Sequence, residues 1–195
     1  MVARGERMGG RLGLRIALVL FLCAVLGSIA LAIAIRSAAT ARAPHFVIEH
    51  SLEIDAPPAA VWAALVDSEA LADWNPYLLQ VEGALVEGGG IVITILQRNW
   101  DDTMTIPVTL VAVDPERRLG WRGEVLTPGV HDTHHYFVLT DLGNGRTRFN
   151  HIEEFQGVLA WMIHTDATRE HTRVAFADMN AALAQRAVEL TGGTP

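Results

Sequence analysis

The segment from Ile54 to Pro76, IDAPPAAVWAALVDSEALADWNP, constrains the fold of this chain more than any other. It leaves an apolar strand, turns through Pro57-Pro58 into a short helix, makes a second short helix and stops at Trp74-Asn75-Pro76. Proline fits a first helical turn because its missing N–H would have no partner there. Asp67 or Ser68 is expected to cap the second helix, and Pro76 disfavours helical geometry at Asn75. A strand followed by two helices too short to form a layer must lead into a larger element that covers them.

That element is legible as a series of strands. Phe46, Ile48, His50, Leu52 and Ile54 fall on one face of a first strand and Glu49, Ser51 and Glu53 on the other. After the two helices come Tyr77 to Leu85, Ile91 to Gln97, Met104 to Val113, Leu119 to Val125, His131 to Thr140 and Thr147 to Phe155. They are separated by the turn signals Gly88-Gly89-Gly90, Asn99-Trp100-Asp101-Asp102, Asp114-Pro115, Thr127-Pro128-Gly129 and Gly143-Asn144-Gly145. Strands at short intervals without intervening helices predict an antiparallel meander. Pro107 lies inside one of them and predicts a bulge or an edge position.

From Val158 to Leu190 there is neither glycine nor proline, which predicts one helix of roughly 50 Å at 1.5 Å per residue. Phe176, Met179, Leu183, Ala187 and Leu190 share a narrow arc of it. Extended backward, the arc passes through Thr172, Arg169, Thr165, Met162 and Trp161. The inner face thus turns from apolar to mixed, as in a helix lining a partly polar pocket, although a packing helix with a polar start gives the same pattern.

The order strand, two helices, six strands, long helix resembles the START/Bet v 1-like (SRPBCC) superfamily, in particular its polyketide cyclase/dehydrase-like branch. The residues that carry the resemblance are Ala56-Pro57 with Val61-Trp62 and Leu65, Trp74-Asn75-Pro76, and Glu87-Gly88-Gly89. Later come Pro115 to Leu119 with Trp121, Gly145 to Phe149 leading to Glu153, Phe155 and Gly157, and Phe176, Met179, Asn180 and Leu183. Their order and spacing, over nearly all of residues 46–190, are what is specific. The resemblance implies an α+β helix-grip (Bet v 1-like) fold, a curved antiparallel sheet around a long C-terminal helix with a cavity between them. Members bind lipids, sterols or hormones, or act as cyclases or dehydratases, so fold alone does not fix activity.

One segment departs from that family. Arg4, Arg7, Arg11 and Arg15 precede an uncharged run from Ile16 to Ile35, about the 20 residues that a membrane-crossing helix needs. The expected organisation is a basic cytoplasmic N-terminus (1–15), a transmembrane anchor (16–35), a linker (36–45) and the START-like domain (46–191). The arginine excess before the span puts the domain outside the cytoplasm of a bacterial-type cell, held by a single pass. Ala39-Thr40-Ala41 leaves open a cleaved signal and a secreted domain, although the run exceeds a usual signal core. Leu20-Phe21-Leu22 lacks the small residue that a lipidated Cys23 would need before it.

Composition removes function classes. Residues 1–45 hold six arginines against one glutamate, so the whole-chain charge of −7 leaves −12 on the remainder. Such a domain is a poor nucleic-acid binder, since phosphate contacts need a basic face. The single cysteine, Cys23, lies in the apolar run, which leaves the domain no disulfide and no thiol. There is no lysine for Schiff-base chemistry, no G-x-S-x-G elbow, no G-x-G-x-x-G after a strand and no P-loop. No cofactor is expected.

What remains is histidine and glutamate. Alternation puts His131, Thr133, His135, Phe137 and Leu139 on one face, and Thr147, Phe149, His151, Glu153 and Phe155 on one face of the last strand. With both faces inward, His135, His151 and Glu153 line one cavity wall, with His50 and Trp121 as neighbours. The same residues would also serve as a buried, mutually bonded cluster. A zinc site would need His135, His151 and Glu153 to converge, and no metal is expected. His134 points away from His131 and His135. The expected ligand-binding set is His50, Trp74, Trp121, His135, Phe137, His151, Glu153, Phe155, Met162, Thr165, Arg169, Thr172 and Phe176. The expected function is a membrane-tethered protein holding a hydrophobic small molecule such as a lipid, isoprenoid or polyketide. The alternative is a cofactor-free cyclase or dehydratase using His135, His151 and Glu153 for acid–base chemistry.

Overall fold

The computed structural model describes residues 6–40, 46–97, 102–125, 127–157 and 159–192, without the side chains of 6–15, 35–40, 161 and 163. Arg4, Trp100, Val158, Gly193, linker residues 41–45 and the side chain of Trp161 therefore lie outside the described residues. The chain divides into two compact units, Met1–Ala41 and Arg42–Pro195. The first is one helix, α1 (Glu6–Thr40), whose stretch Ile16–Ala34 is apolar, exposed and long enough to cross a bilayer. A signal anchor and a signal peptide share that profile.

The second unit runs β1 (Phe46–Ile54), α2 (Pro58–Val66), α3 (Leu71–Trp74) and β2 (Leu78–Glu82). It continues through β3 (Gly90–Gln97), β4 (Asp102–Asp114), β5 (Arg118–Val125), β6 (His131–Gly143), β7 (Arg146–Gln156), α4 (Ala160–Ile163) and α5 (Asp166–Leu190). The seven strands form one antiparallel sheet in the order β1-β7-β6-β5-β4-β3-β2. This is the helix-grip architecture, with α5 packed against β1 and α2.

Local chemistry explains the junctions. Pro57 and Pro58 open α2, with Pro57 extended at the cap. The buried Asn75 carboxamide accepts from the Tyr77 and Leu78 backbone N–H groups at 3.0 and 2.9 Å, which turns the chain from α3 into β2. The expected cap of α3 by Asp67 or Ser68 is corrected: Ala70 occupies the cap position with no side-chain bond, because the helix starts three residues later. Pro107 pairs with Val92 on β3, and β4–β5 pairing begins only at Val108, so the ring sits where β4 has no described partner on that side.

The single long helix is also corrected. It breaks at His164-Thr165, where Thr165 turns extended and its hydroxyl accepts from the Thr168 N–H at 3.3 Å. A threonine cap satisfies an amide that would otherwise have no partner, and it starts α5 afresh at Asp166. Met162 and Trp161 consequently belong to the separate turn α4.

The main core is built from Ile54, Val61, Leu65 and Leu71 against Leu110, Phe149, Met179, Leu183 and Ala187, all buried. A second, smaller cluster joins Ile48, Phe155, Ala160 and Phe176. Leu190, expected on the inner arc, is exposed, and it is the last residue of α5.

Candidate functional site

The inward faces of β1, β6 and β7 meet α5 in a continuous polar row. Register sets it: His50 pairs with His151 across β1–β7, and His135 with Glu153 across β6–β7. The Nε2 atoms of His151 and His135 lie 2.7 Å apart. Asn180 of α5 places Oδ1 2.8 Å from His151 Nδ1 and Nδ2 2.8 Å from His50 Nδ1. At the other end, His135 Nδ1 is 3.8 Å from Glu153 Oε1. His50, Asn180, His151, His135 and Glu153 thus form one chain from a half-buried ring to a largely buried carboxyl.

Aromatic rings fix the imidazoles. Phe176 stacks on His151 with centroids 3.6 Å apart and planes at 15°, and Trp121 stacks on His135 at 4.5 Å and 16°. Phe137 meets both histidines edge-on. Burial holds the His151 pKa well below its ordinary value, and the neighbouring His135 lowers it further, against the raising effect of the Asn180 bond. The Tyr77 hydroxyl is pushed up, first by burial and then by the charge of Glu153.

His135 and Glu153 face a cavity of about 50 Å³ otherwise lined by Tyr77, Leu78, Ile93, Ile95, Ile106, Val108, Trp121, Thr133, Phe137 and Met179. A second space of about 40 Å³, bounded mainly by Leu65, Leu71, Leu78, Val81, Leu85, Ile91 and Leu119, lies across Trp121 and Phe137, which line both. Ligand pockets for drug-sized molecules measure roughly 300–1,000 Å³. Leu78, Trp121 and Phe137 thus stand between two spaces that each hold little more than water.

A second histidine pair lies beside the first. His131 Nε2 and His164 Nε2 are 2.7 Å apart, with the rings near-parallel at 14°. Phe155 packs on His164 at 4.2 Å and on Phe46 at 4.5 Å, and the Arg169 guanidinium lies 4.3 Å over the Phe46 ring. Gly157, at φ +110°, makes this possible: a Cβ there would strike the Val130 carbonyl, against which Leu159 N–H bonds at 3.0 Å. Burial lowers the pKa of His164 to about 4, aided by His131 and opposed by Glu153.

Several residues of the expected set lie elsewhere. Trp74 packs its ring on the main core and borders a surface groove with Asp73, Ala182, Gln185, Arg186 and Glu189. Met162 is exposed, Thr165 is an exposed helix cap, and Thr172 returns its hydroxyl to the Thr168 carbonyl. None of the four borders the cavity beside Glu153. Asn180 and His164 were not singled out as site residues by sequence reasoning. Asn180 had a signal: it interrupts the apolar arc, one turn beyond Phe176 and three residues before Leu183. Among the described residues no three His, Cys, Asp or Glu side chains are grouped to hold a metal ion.

A family model described as polyketide cyclase / dehydrase and lipid transport matches residues 45–188. The chain belongs to that family. Solved structures place this polyketide cyclase/dehydrase member among START and Bet v 1-like folds. The Zhui aromatase/cyclase from Streptomyces sp. R1128 is similar over 76% of this chain and 99% of its own, with 22% identity and a TM-score of 0.55. A START superfamily protein from Mycobacterium smegmatis covers 74% and 98%, with 11% identity and a TM-score of 0.57. Ara h 8.0201 covers 74% and 98%, with 14% identity and a TM-score of 0.55. At these identities the likeness is one of fold. No curated protein matches the sequence.

Proposed function

We propose that this family member is a membrane-tethered, extracytoplasmic protein that takes a hydrophobic small molecule into the space between sheet and long helix. The observation that carries the reading is a mainly apolar cavity into which a few polar groups open, the His135–Glu153 pair with Thr133 and Tyr77. Apolar walls supply affinity and a few polar groups fix orientation. Occupancy requires Trp121 and Phe137 to move, so that the two small spaces become one. The apolar helix before the domain supports the tether, with residues 41–45 joining the two units.

The experiment is mass spectrometry of the full-length protein from detergent, under native conditions and after solvent extraction. A stoichiometric lipid, isoprenoid or polyketide-like mass is expected. A folded protein that carries none, and that takes up no such molecule from liposomes, would overturn the carrier reading.

A second reading, a cofactor-free cyclase or dehydratase, is favoured by one observation: a histidine and a carboxyl share the cavity wall, and the histidine behind them is held neutral. Glu153→Gln separates the two. A catalyst loses turnover while still binding, whereas a carrier loses only part of its affinity.

A further inference from the structure

The buried row carries information that its residue types alone do not: the direction in which each hydrogen bond points. An amide oxygen only accepts and an amide nitrogen only donates. Asn180 presents Oδ1 to His151 Nδ1 and Nδ2 to His50 Nδ1. His151 must then carry a proton on Nδ1, and His50 must accept on Nδ1 and hold its own proton on Nε2. Because His151 is buried without a carboxylate partner, it is neutral and has one ring proton only. Its Nε2 is therefore bare, and across the 2.7 Å contact His135 Nε2 must be the donor.

The consequence falls on the far side of the His135 ring. With a single proton on Nε2, His135 would turn the lone pair of Nδ1 toward Glu153 Oε1 at 3.8 Å, two electron-rich atoms facing one another at the wall of a mainly apolar cavity. One further proton between them removes the conflict. We propose that Asn180 is a positioning residue that fixes the ring protons of His50, His151 and His135, so that the His135–Glu153 pair holds one exchangeable proton facing the cavity. The proton sits on Nδ1 or on the carboxyl, and the pair is neutral overall in both cases. The charged and titratable groups around it are His151 and His50 along the row, Glu153 from β7, Tyr77 before β2, and His131 and His164, whose pKa values Glu153 influences.

This deepens the cavity reading and rests on it for one point, the nature of the occupant. At 3.8 Å the His135–Glu153 contact is longer than a formed hydrogen bond, so the proton remains available to a third atom. The matching occupant is a molecule with an acceptor oxygen, a carbonyl or an enolate, on an otherwise apolar body. If an enolate oxygen takes the proton, an O–H bond forms as the N–H or carboxyl O–H bond breaks, leaving neutral His135 and ionised Glu153.

The test reads ring protons directly, by long-range ¹⁵N–¹H correlation spectra of the full-length protein with labelled histidine, in detergent and without added ligand. At neutral pH the expected pattern is Nδ1–H for His151, Nε2–H for His50, and a proton on Nε2 of His135. The reverse pattern, Nε2–H for His151 with Nδ1–H for His50 and His135, overturns the proposal. Asn180→Asp offers only acceptors, so His50 is expected to switch to Nδ1–H while His151 keeps Nδ1–H. An unchanged His50 would mean that Asn180 does not set it. Should that variant fail to fold, Glu153→Gln keeps the question open to measurement. His135 is then expected to show a single ring proton, on Nε2, with His151 and His50 unchanged, and a reversed row would again overturn the assignment. Because no ligand is present, a protein that binds nothing yet shows the expected protons leaves this inference standing and the carrier reading fallen.

Discussion

The two ends of the interior are built on opposite terms. Around Leu183 and Ala187 the long helix meets Val61, Leu65 and Leu71 through carbon alone. Around Phe176 and Asn180 it meets His135 and His151, each held between an aromatic face and a hydrogen bond, and His50, held by the Asn180 amide. The first arrangement gains stability from every methylene removed from water. The second gains little net stability, because its polar groups exchange bonds with water for bonds with one another. What it gains is direction, since each bond admits only some proton positions.

The contrast can be broken at the apolar end first. Leu183→Ala should cost about 2–5 kcal/mol, with a correspondingly lower urea midpoint, because a fully buried side chain leaves a void. The histidine ¹⁵N pattern should survive in the folded fraction; a scrambled pattern would show that the two ends are not separate.

Acid should act at the other end. The pKa values of His131, His134, His151 and His164 lie below the ordinary 6.5 in the folded protein, chiefly through burial, and that of His164 falls to about 4. The unfolded chain therefore binds more protons as pH drops below 6.5, and stability falls with it. For His164 this loss spans pH 6.5 to about 4 and is absent above it. Urea midpoints measured from pH 7.5 to 4.5 should decline, and His164→Gln should flatten the slope. A midpoint independent of pH would contradict the buried, neutral histidines.

Asn180→Leu should cost about 1–3 kcal/mol by leaving two imidazole nitrogens without partners. Adding His151→Phe should recover part of that, since removing both partners of a buried bond is cheaper than removing one. Equal and additive losses in a double-mutant cycle would deny the coupling. The smallest effect belongs to Thr165→Ala, about 1 kcal/mol in thermal unfolding, for loss of the cap that starts α5.

Much of this was legible in the residues. The alternation of β1, β6 and β7 put His50, His135, His151 and Glu153 inward, because strand period two leaves no freedom once one face is apolar. The break at His164-Thr165 was not read, although Thr165 and Asp166 form a cap and an acidic first turn, since the lack of glycine and proline suggested continuity. Trp74 and Met162 went to unexpected places because aromatic and apolar character does not say which cluster a side chain joins. The division of the cavity by Trp121 and Phe137 depends on ring positions that no spacing rule encodes.

That division bears on volume as well as on shape. The two spaces of about 50 and 40 Å³ beside Trp121 and Phe137 are gaps in side-chain packing that a guest seated there would fill. Hydrostatic pressure favours whichever state eliminates voids. Compression should therefore drive the domain toward its filled or its unfolded form, and a bound guest should make it less compressible.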